Sequence, residues 1–382
     1  MGRFNSRLSY ASFSLLLALL VHAGFAYAGK TRFDLAQLKA PPGFHISVFA
    51  QDVDGARMMI FTPGGVLLVS EAGEGKVVAL LDSKHVGKAD KTVTVLQGLN
   101  EPHGLAFFEG KLYVAENGKV RRYDWDEANL RATNPQKLAD LPTGGGHSTR
   151  SIVFHGGKMY VSAGSSCNVC IEKDPRRATV MEFNPDGSGQ KIFAKGLRNA
   201  VGLAVNPKTD TVWVTVNGRD WLGDDLPPET IYDLGKDGGD AGWPYCYGDR
   251  VPDQDFTKPG DGRCNNVLEP KVQMQAHSAP LGLGFYAGSQ FPAEYRNNIF
   301  VAFHGSWNRD VPTGYKVVRV KLDDKGQPVG VAEDFITGWL APGETKKGRW
   351  MGRPVGIVFG SDGAMYLSDD AGGVVYRITY GK

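Results

Sequence analysis

Four cysteines are too few to staple a chain of 382 residues, so a buried core has to hold this fold together. Charge of one sign is also missing as an excess, with 43 Lys and Arg set against 41 Asp and Glu. A clustered basic surplus is what nucleic acid demands of a partner, so no nucleic-acid role is expected. After residue 28 no apolar run approaches the roughly 20 residues that cross a bilayer as a helix, and none of the chain carries a long amphipathic helical period. What is abundant is glycine, at 50 residues, with aromatics at 10%. That combination fits many short strands joined by tight turns.

The N-terminus reads as a secretory signal peptide over residues 1–28. Arg3 and Arg7 precede an apolar run from Leu15 to Val21, and Ala26-Tyr27-Ala28 supplies the small-x-small cleavage pattern. A membrane anchor is the alternative, but the apolar run is short for it. No cysteine stands at the cleavage point, so a lipid-anchored product is not indicated. Residues 29–382 are then expected to form one domain, periplasmic or secreted, with no membrane span. Losing two arginines and no acid brings the bases and acids to equal number.

In an oxidising compartment the four cysteines point to disulfides, and closeness in sequence favours Cys167 with Cys170 and Cys246 with Cys264. Four cysteines allow three connectivities, and a zinc site using all four is a further alternative. Haem attachment at Cys167-Asn168-Val169-Cys170 is excluded, because Ile171 and not histidine follows.

The main pattern is a hairpin that recurs six times, each a short apolar strand, a tight turn and a second apolar strand. The pairs are Met58 to Phe61 with Val66 to Val69, Gly104 to Phe107 with Lys111 to Val114, and Ser151 to Phe154 with Lys158 to Val161. Gly202 to Val205 with Thr211 to Val214, Gly282 to Phe285 with Asn298 to Val301, and Gly356 to Phe359 with Ala364 to Leu367 complete the set. Third strands follow several of them, at Lys119 to Tyr123, Tyr315 to Val320 and Val374 to Ile378. Six such units predict an all-β fold, a six-bladed β-propeller of four-stranded antiparallel blades. The last unit ends after its third strand, while Phe44 to Phe49 alternates as a strand before the first hairpin. That N-terminal strand is expected to close the ring. A sandwich or an up-and-down barrel is the competing all-β reading.

Equivalent positions Phe61, Phe107, Phe154 and Val205 are 46, 47 and 51 residues apart, but Phe285 and Phe359 follow after 80 and 74. Two long insertions account for the difference, from about Asn217 to Gln275 and from about His304 to Trp350, and long loops in compact domains tend to carry function. A hairpin sets the residues before its first strand beside those after its second. In register, the first group holds Arg57, His103, His147 with Arg150, Arg198 with Asn199, His277, and Arg353. The second holds Glu71, Glu116, Asn217 to Asp220, His304 and Asp369. One rim of the propeller should therefore gather histidines and arginines into a site. His147 follows three glycines that would let a ligand come close, and its imidazole suits a general base. Arg198 and Arg353 suit carboxylates, which arginine binds bidentately. The oxygen-rich stretch Asn217-Gly218-Arg219-Asp220, with Asp224 and Asp225, suits calcium without matching an EF-hand loop.

Several segments resemble the soluble quinoprotein glucose and sorbosone dehydrogenases, with the sorbosone branch the nearer. They are HSTRSIVF at His147 to Phe154, RNAVGLAVNP at Arg198 to Pro207, VNGRDWLGDD at Val216 to Asp225, GWPYCYGD at Gly242 to Asp249 and HGSWNR at His304 to Arg309. The resemblance spans nearly the whole chain after residue 28. It implies pyrroloquinoline quinone (PQQ) and calcium as cofactors, a sugar or sugar-derived aldehyde as substrate, and a separate electron acceptor. It implies His147 as catalytic base, and Arg198, Asn199 and Arg353, with His103 and His304 on the same rim, as cofactor-binding residues. Gly218 and Arg219 would give backbone carbonyls to the calcium. Two positions depart from the glucose enzymes: Met351 stands where they carry a second arginine, and His304-Gly305-Ser306-Trp307 fills the stretch where they carry a cofactor-binding lysine. The rival functions are a calcium-dependent lactonase on the same fold and a propeller that only binds a partner, because fold does not settle function.

Overall fold

The computed structural model describes residues 33–258 and 260–381; the signal peptide read over residues 1–28 lies outside them. The architecture is a six-bladed β-propeller, as expected. The first blade is built from Ala56–Phe61, Leu67–Glu71, Lys76–Leu81 and Lys91–Leu96, and the second from Gly104–Phe108, Lys111–Glu116, Lys119–Asp126 and Arg131–Asp140. The third uses Ile152–His155, Lys158–Ala163, Thr179–Phe183 and Lys191–Lys195, and the fourth Ala200–Asn206, Thr211–Val216, Glu229–Asp233 and Val272–Met274. Pro280–Phe285, Ile299–Phe303, Lys316–Val320 and Glu333–Ile336 make the fifth. The sixth takes three strands from the end of the chain, Pro354–Phe359, Met365–Asp369 and Val374–Tyr380, and its outer strand from Phe44–Ala50, which pairs Ile46 with Ile378.

Because each sheet packs on a neighbour through both faces, its middle strands are apolar without alternation, and Leu67–Glu71, Thr211–Val216 and Ile299–Phe303 are buried at every residue. Six apolar clusters fill the gaps between successive blades. Val201, Leu281, Val355 and Met58 meet at the axis. There the innermost strands come so close that side chains would collide. A Cβ on Gly202 would lie 2.2 Å from the Leu281 carbonyl oxygen, and one on Gly282 would lie 2.4 Å from that of Val355. Hydroxyls on the second strands seal the same joints. Ser70 Oγ donates to His103 O (2.8 Å), Thr215 Oγ1 to Leu281 O (2.8 Å) and Ser368 Oγ to Arg57 O (2.5 Å), so each ties its blade to the inner strand of the next.

The two long insertions are shorter than their sequence spacing suggests, since each contains outer strands of its own blade. Glu229–Asp233 follows Pro227-Pro228 and Val272–Met274 is three residues long, so neither announces itself by alternation. Both expected disulfides are present, Cys167–Cys170 and Cys246–Cys264.

Candidate active site

The turns that join the first strand of each blade to its neighbours gather at one end of the propeller, around a cleft of about 430 Å³. Its walls include Arg57, His147, Arg198, Asn199, Asn217, Gly218, Asp220, Glu229, His277, His304, Trp307 and Arg353. A second cleft of about 600 Å³ shares Arg57 and Arg353 with it.

His147 is held from behind. Its Nδ1 lies 2.9 Å from the Ser165 carbonyl oxygen and 3.0 Å from Ser165 Oγ, which in turn donates to Cys167 O (2.6 Å). A carbonyl can only accept, so the network assigns the proton to Nδ1 and leaves Nε2 as a lone-pair acceptor. Burial first, and Arg198 second, pull the imidazole down to about 4, so it is neutral at physiological pH. Gly164 permits this placement: a Cβ there would stand 2.7 Å from His147 Cβ and 2.5 Å from Asn199 Oδ1.

Three guanidinium groups face the cleft. Arg353 donates from Nε to His304 O (3.0 Å) and from Nη2 to Gly305 O (2.9 Å), and lies 5.8 Å from the ring centres of both Tyr315 and Trp350. Arg198 is more committed. It donates to Asn168 O (2.8 Å), Asn168 Oδ1 (2.9 Å), Asn217 O (3.2 Å) and Asp220 Oδ2 (3.4 Å). Burial pulls both guanidinium groups below their ordinary value, which marks desolvated cations that an incoming anion would stabilise. Arg57 pairs with Asp370 (2.7 Å), and Asp370 also takes a hydrogen bond from His304 Nε2 (2.9 Å). Burial pulls His304 down to about 4 against the opposing pull of Asp370, so it is neutral at physiological pH and donates from Nε2 to the carboxylate that Arg57 also pairs.

His103 lines the second of the two clefts, with Arg57 and Arg353. It is 1% exposed and sits behind Arg57, whose Nη2 is 3.4 Å from its Nε2, while its Nδ1 faces Ser151 Oγ at 3.3 Å. Its Nε2 contact steadies Arg57. His277 donates from Nε2 to Gly223 O (2.8 Å), and Asp220 raises its pKa.

The Asn217 to Asp220 turn is fixed on both sides. Gly218 N donates to Glu229 Oε2 (2.7 Å), and Arg219 runs outward to Asp253 (2.6 Å) and Asp255 (2.8 Å) in the disulfide-closed connection. Among the described residues, no donor reaches the carbonyl oxygens of Gly218 or Arg219. Asn199 Oδ1 is likewise buried without a partner. Asp224 and Asp225 instead bind Arg309 and the Asp310 amide.

Sequence reasoning missed three residues. Glu229 is 3% exposed on the cleft wall, accepts from the Gly218 and Ala279 amides, and is pushed up to about 7 by burial. Asp370 links Arg57 to His304, and Asn168 anchors Arg198 and the Asp220 amide (2.8 Å). Only Asp370 left a trace, as the second acid of Asp369-Asp370. Met351, at the position of the absent second arginine, is a core residue packed with Trp339, and Arg57 brings the additional cation from the first blade.

The rim cleft of this six-bladed propeller thus brings together a neutral histidine, desolvated arginines and acceptor oxygens that no donor reaches. The TrAA12-like family matches residues 38–231 and 242–381, and the chain belongs to that family. It is 30% identical to an uncharacterized protein of Borreliella burgdorferi over 90% of this chain and 91% of that one. It is also 27% identical to the pyrroloquinoline quinone-dependent pyranose dehydrogenase of Coprinopsis cinerea, over 90% of this chain and 54% of that longer protein. The holo PQQ domain of that dehydrogenase superposes with a TM-score of 0.77 at 25% identity, covering 90% of this chain and 97% of the domain. The calcium structure of a Trichoderma reesei AA12 protein gives 0.78 at 23% identity, covering 90% and 97%, a likeness of fold.

Proposed function

We propose that the chain is a quinoprotein oxidoreductase that oxidises a sugar or a sugar-derived aldehyde with PQQ and calcium. The observation that carries this reading is the pairing of His147, whose Nε2 is an unprotonated acceptor on the cleft wall, with the cations Arg57, Arg198 and Arg353 beside it. Gly218 O and Asn199 Oδ1 at the same cleft, with Arg219 O next in the chain, are acceptors with no donor of their own, which is the oxygen chemistry calcium selects. Arg353 and Arg57 hold cofactor carboxylates. Arg198 orients the Asn217 to Asp220 turn, with one side left for the ligand. His304 and His103 keep Arg353 and Arg57 in place.

When bound, PQQ with calcium supplies two-electron oxidation of a carbon that bears a hydroxyl, the metal polarising a quinone carbonyl. The protein's part is to deliver the proton acceptor. His147 Nε2 takes the hydroxyl proton, and Ser165 stabilises the imidazolium through Nδ1–H. Carboxylates at this end of the propeller are engaged elsewhere, Asp220 by Arg198, Asp370 by Arg57 and His304, and Glu229 by two amides. That favours a cationic cofactor site over the lactonase alternative. The sorbosone-type aldehyde remains the specific substrate proposal. Residues 1–28 are proposed as a cleaved signal peptide ahead of a single propeller domain, with the enzyme acting in the periplasm or outside the cell, where its disulfides would persist.

Titration of purified protein with PQQ and calcium, followed by a sugar panel, tests this. A stoichiometric cofactor band that one sugar bleaches is expected. Arg353→Ala should weaken PQQ by about 3 to 5 kcal/mol, the penalty for stranding a buried charge. Failure of PQQ to bind the parent protein overturns the reading.

A further inference from the structure

Cys167, one half of the Cys167–Cys170 disulfide, stands on the cleft wall with His147 and Arg198. Both of its cysteines are half-buried and only three positions apart, whereas Cys246 and Cys264 are 3% and 5% exposed and 18 positions apart. Thiol–disulfide exchange requires an attacking thiolate to reach a sulfur, so the bond beside the cleft is the accessible one. A crosslink over so short a loop also removes little chain entropy, and opening it costs the fold little.

The loop that this bond closes is tied to the groups the site uses. Ser165 holds His147 through its O and Oγ, and the same Oγ donates to Cys167 O. Asn168 O and Oδ1 accept from Arg198, Oδ1 accepts the Asp220 amide as well, and Nδ2 donates to Asp220 O (3.2 Å). One covalent bond therefore clamps the supports of the base, of a buried cation and of the Asn217 to Asp220 turn. Glu172 gives the opened form a partner. Its carboxylate is anchored by Ser166 N (2.6 Å) and Ser166 Oγ (2.8 Å), and Oε1 stands 3.9 Å from both sulfurs. A disulfide has no proton to offer that oxygen, whereas each thiol has one.

We propose that Cys167–Cys170 is a redox latch: reduction by an external dithiol frees Asn168 and lowers the affinity of the cleft for its cofactor. A thiolate of the dithiol attacks one sulfur, and the Cys167–Cys170 bond breaks as a mixed disulfide forms. The second thiol of the reductant then displaces the cysteine. Two electrons and two protons pass to Cys167 and Cys170, and the dithiol leaves as a disulfide. The closed form is the resting one in an oxidising compartment. Loosening of the loop follows from its own contacts, and the loss of cofactor affinity rests on the proposed PQQ site.

The test begins with mass mapping of alkylated cysteines over a dithiothreitol series without oxygen. Cys167 and Cys170 should open at concentrations well below those that open Cys246 and Cys264. Cofactor-free protein reduced to that point should exchange the Asp220 amide and those of residues 165–172 about tenfold faster, with the connection from Cys246 to Cys264 unchanged. After removal of the dithiol, PQQ with calcium should bind about tenfold more weakly, the lower end of what losing an outer support costs a site. Oxidised glutathione should restore the affinity. Cys167→Ser with Cys170→Ser should match the reduced parent in both measurements and ignore dithiothreitol; should that variant not fold, the reversible cycle of the parent carries the test. Equal exchange at Asp220 before and after reduction, unchanged PQQ affinity, a loss that reoxidation does not restore, or earlier opening of Cys246–Cys264 overturns the latch. Faster exchange at Asp220 in a protein whose oxidised form binds no PQQ rejects the dehydrogenase reading and leaves the loosening of the loop standing.

Discussion

At the scale of single residues, His147 is distinguished from the other histidines by which nitrogen is tied. His277 commits Nε2 to Gly223 O and His103 is spent on Arg57 and Ser151, whereas His147 is held only through Nδ1. His147→Gln should therefore bind PQQ and calcium almost normally. Its single-turnover reduction by substrate should slow by about a hundred- to ten-thousand-fold, the usual cost of a lost general base. Turnover within a few-fold of the parent would shift the role to His304. The acid side of the rate profile is a second check. With the folded-state pKa lowered to about 4, the imidazole stays neutral, and competent, until pH falls to that value. The rate should accordingly hold through pH 6.5 and drop only near 4, and this limb should vanish in the glutamine variant. The tautomer was not legible in the sequence, because the partner that fixes it, Ser165, sits 18 residues away on the far side of a hairpin.

Among the elements, the blade hairpins were readable and the turns between them were not. A hairpin writes its register locally, in apolar runs and a glycine turn. The contacts that shape the cleft join residues far apart in the chain, such as Arg57 with Asp370 and Asn168 with Asp220. The Cys167–Cys170 loop illustrates this. Its disulfide could be expected from spacing, but its use is to present Asn168, whose Oδ1 takes hydrogen bonds from both Arg198 and the Asp220 amide. Asn168→Ala should strand these buried donors at about 1 to 3 kcal/mol each. A lowered urea midpoint at unchanged slope, together with weaker PQQ binding, is the expected result. A midpoint equal to the parent's would mean that water replaces the side chain and that Arg198 is fixed well enough by Asp220, Asn217 and the Asn168 backbone carbonyl.

For the molecule as a whole, closure of the ring is where sequence and structure agree most directly. The reason is topological: a sixth blade one strand short at the C-terminus and a spare alternating strand at the N-terminus have a single economical solution. That solution leaves the two ends of the described chain bearing on each other, with Phe44 opposite Tyr380. Phe44 is also the hub of the joint between the fifth and sixth blades. Its ring makes edge contacts with Phe291, Tyr295, Phe335 and Tyr380 at centre distances of 4.8 to 5.0 Å. Phe44→Ala opens a cavity there and should cost about 3 to 5 kcal/mol, the range for a buried phenylalanine. Every blade depends on both neighbours, so the loss should spread beyond the sixth blade. One cooperative melt at lower temperature is expected by calorimetry, with the Val374–Tyr380 edge made available for aggregation only once the ring opens. A separate early transition confined to the closing strand would instead mean that the other five blades stand without it.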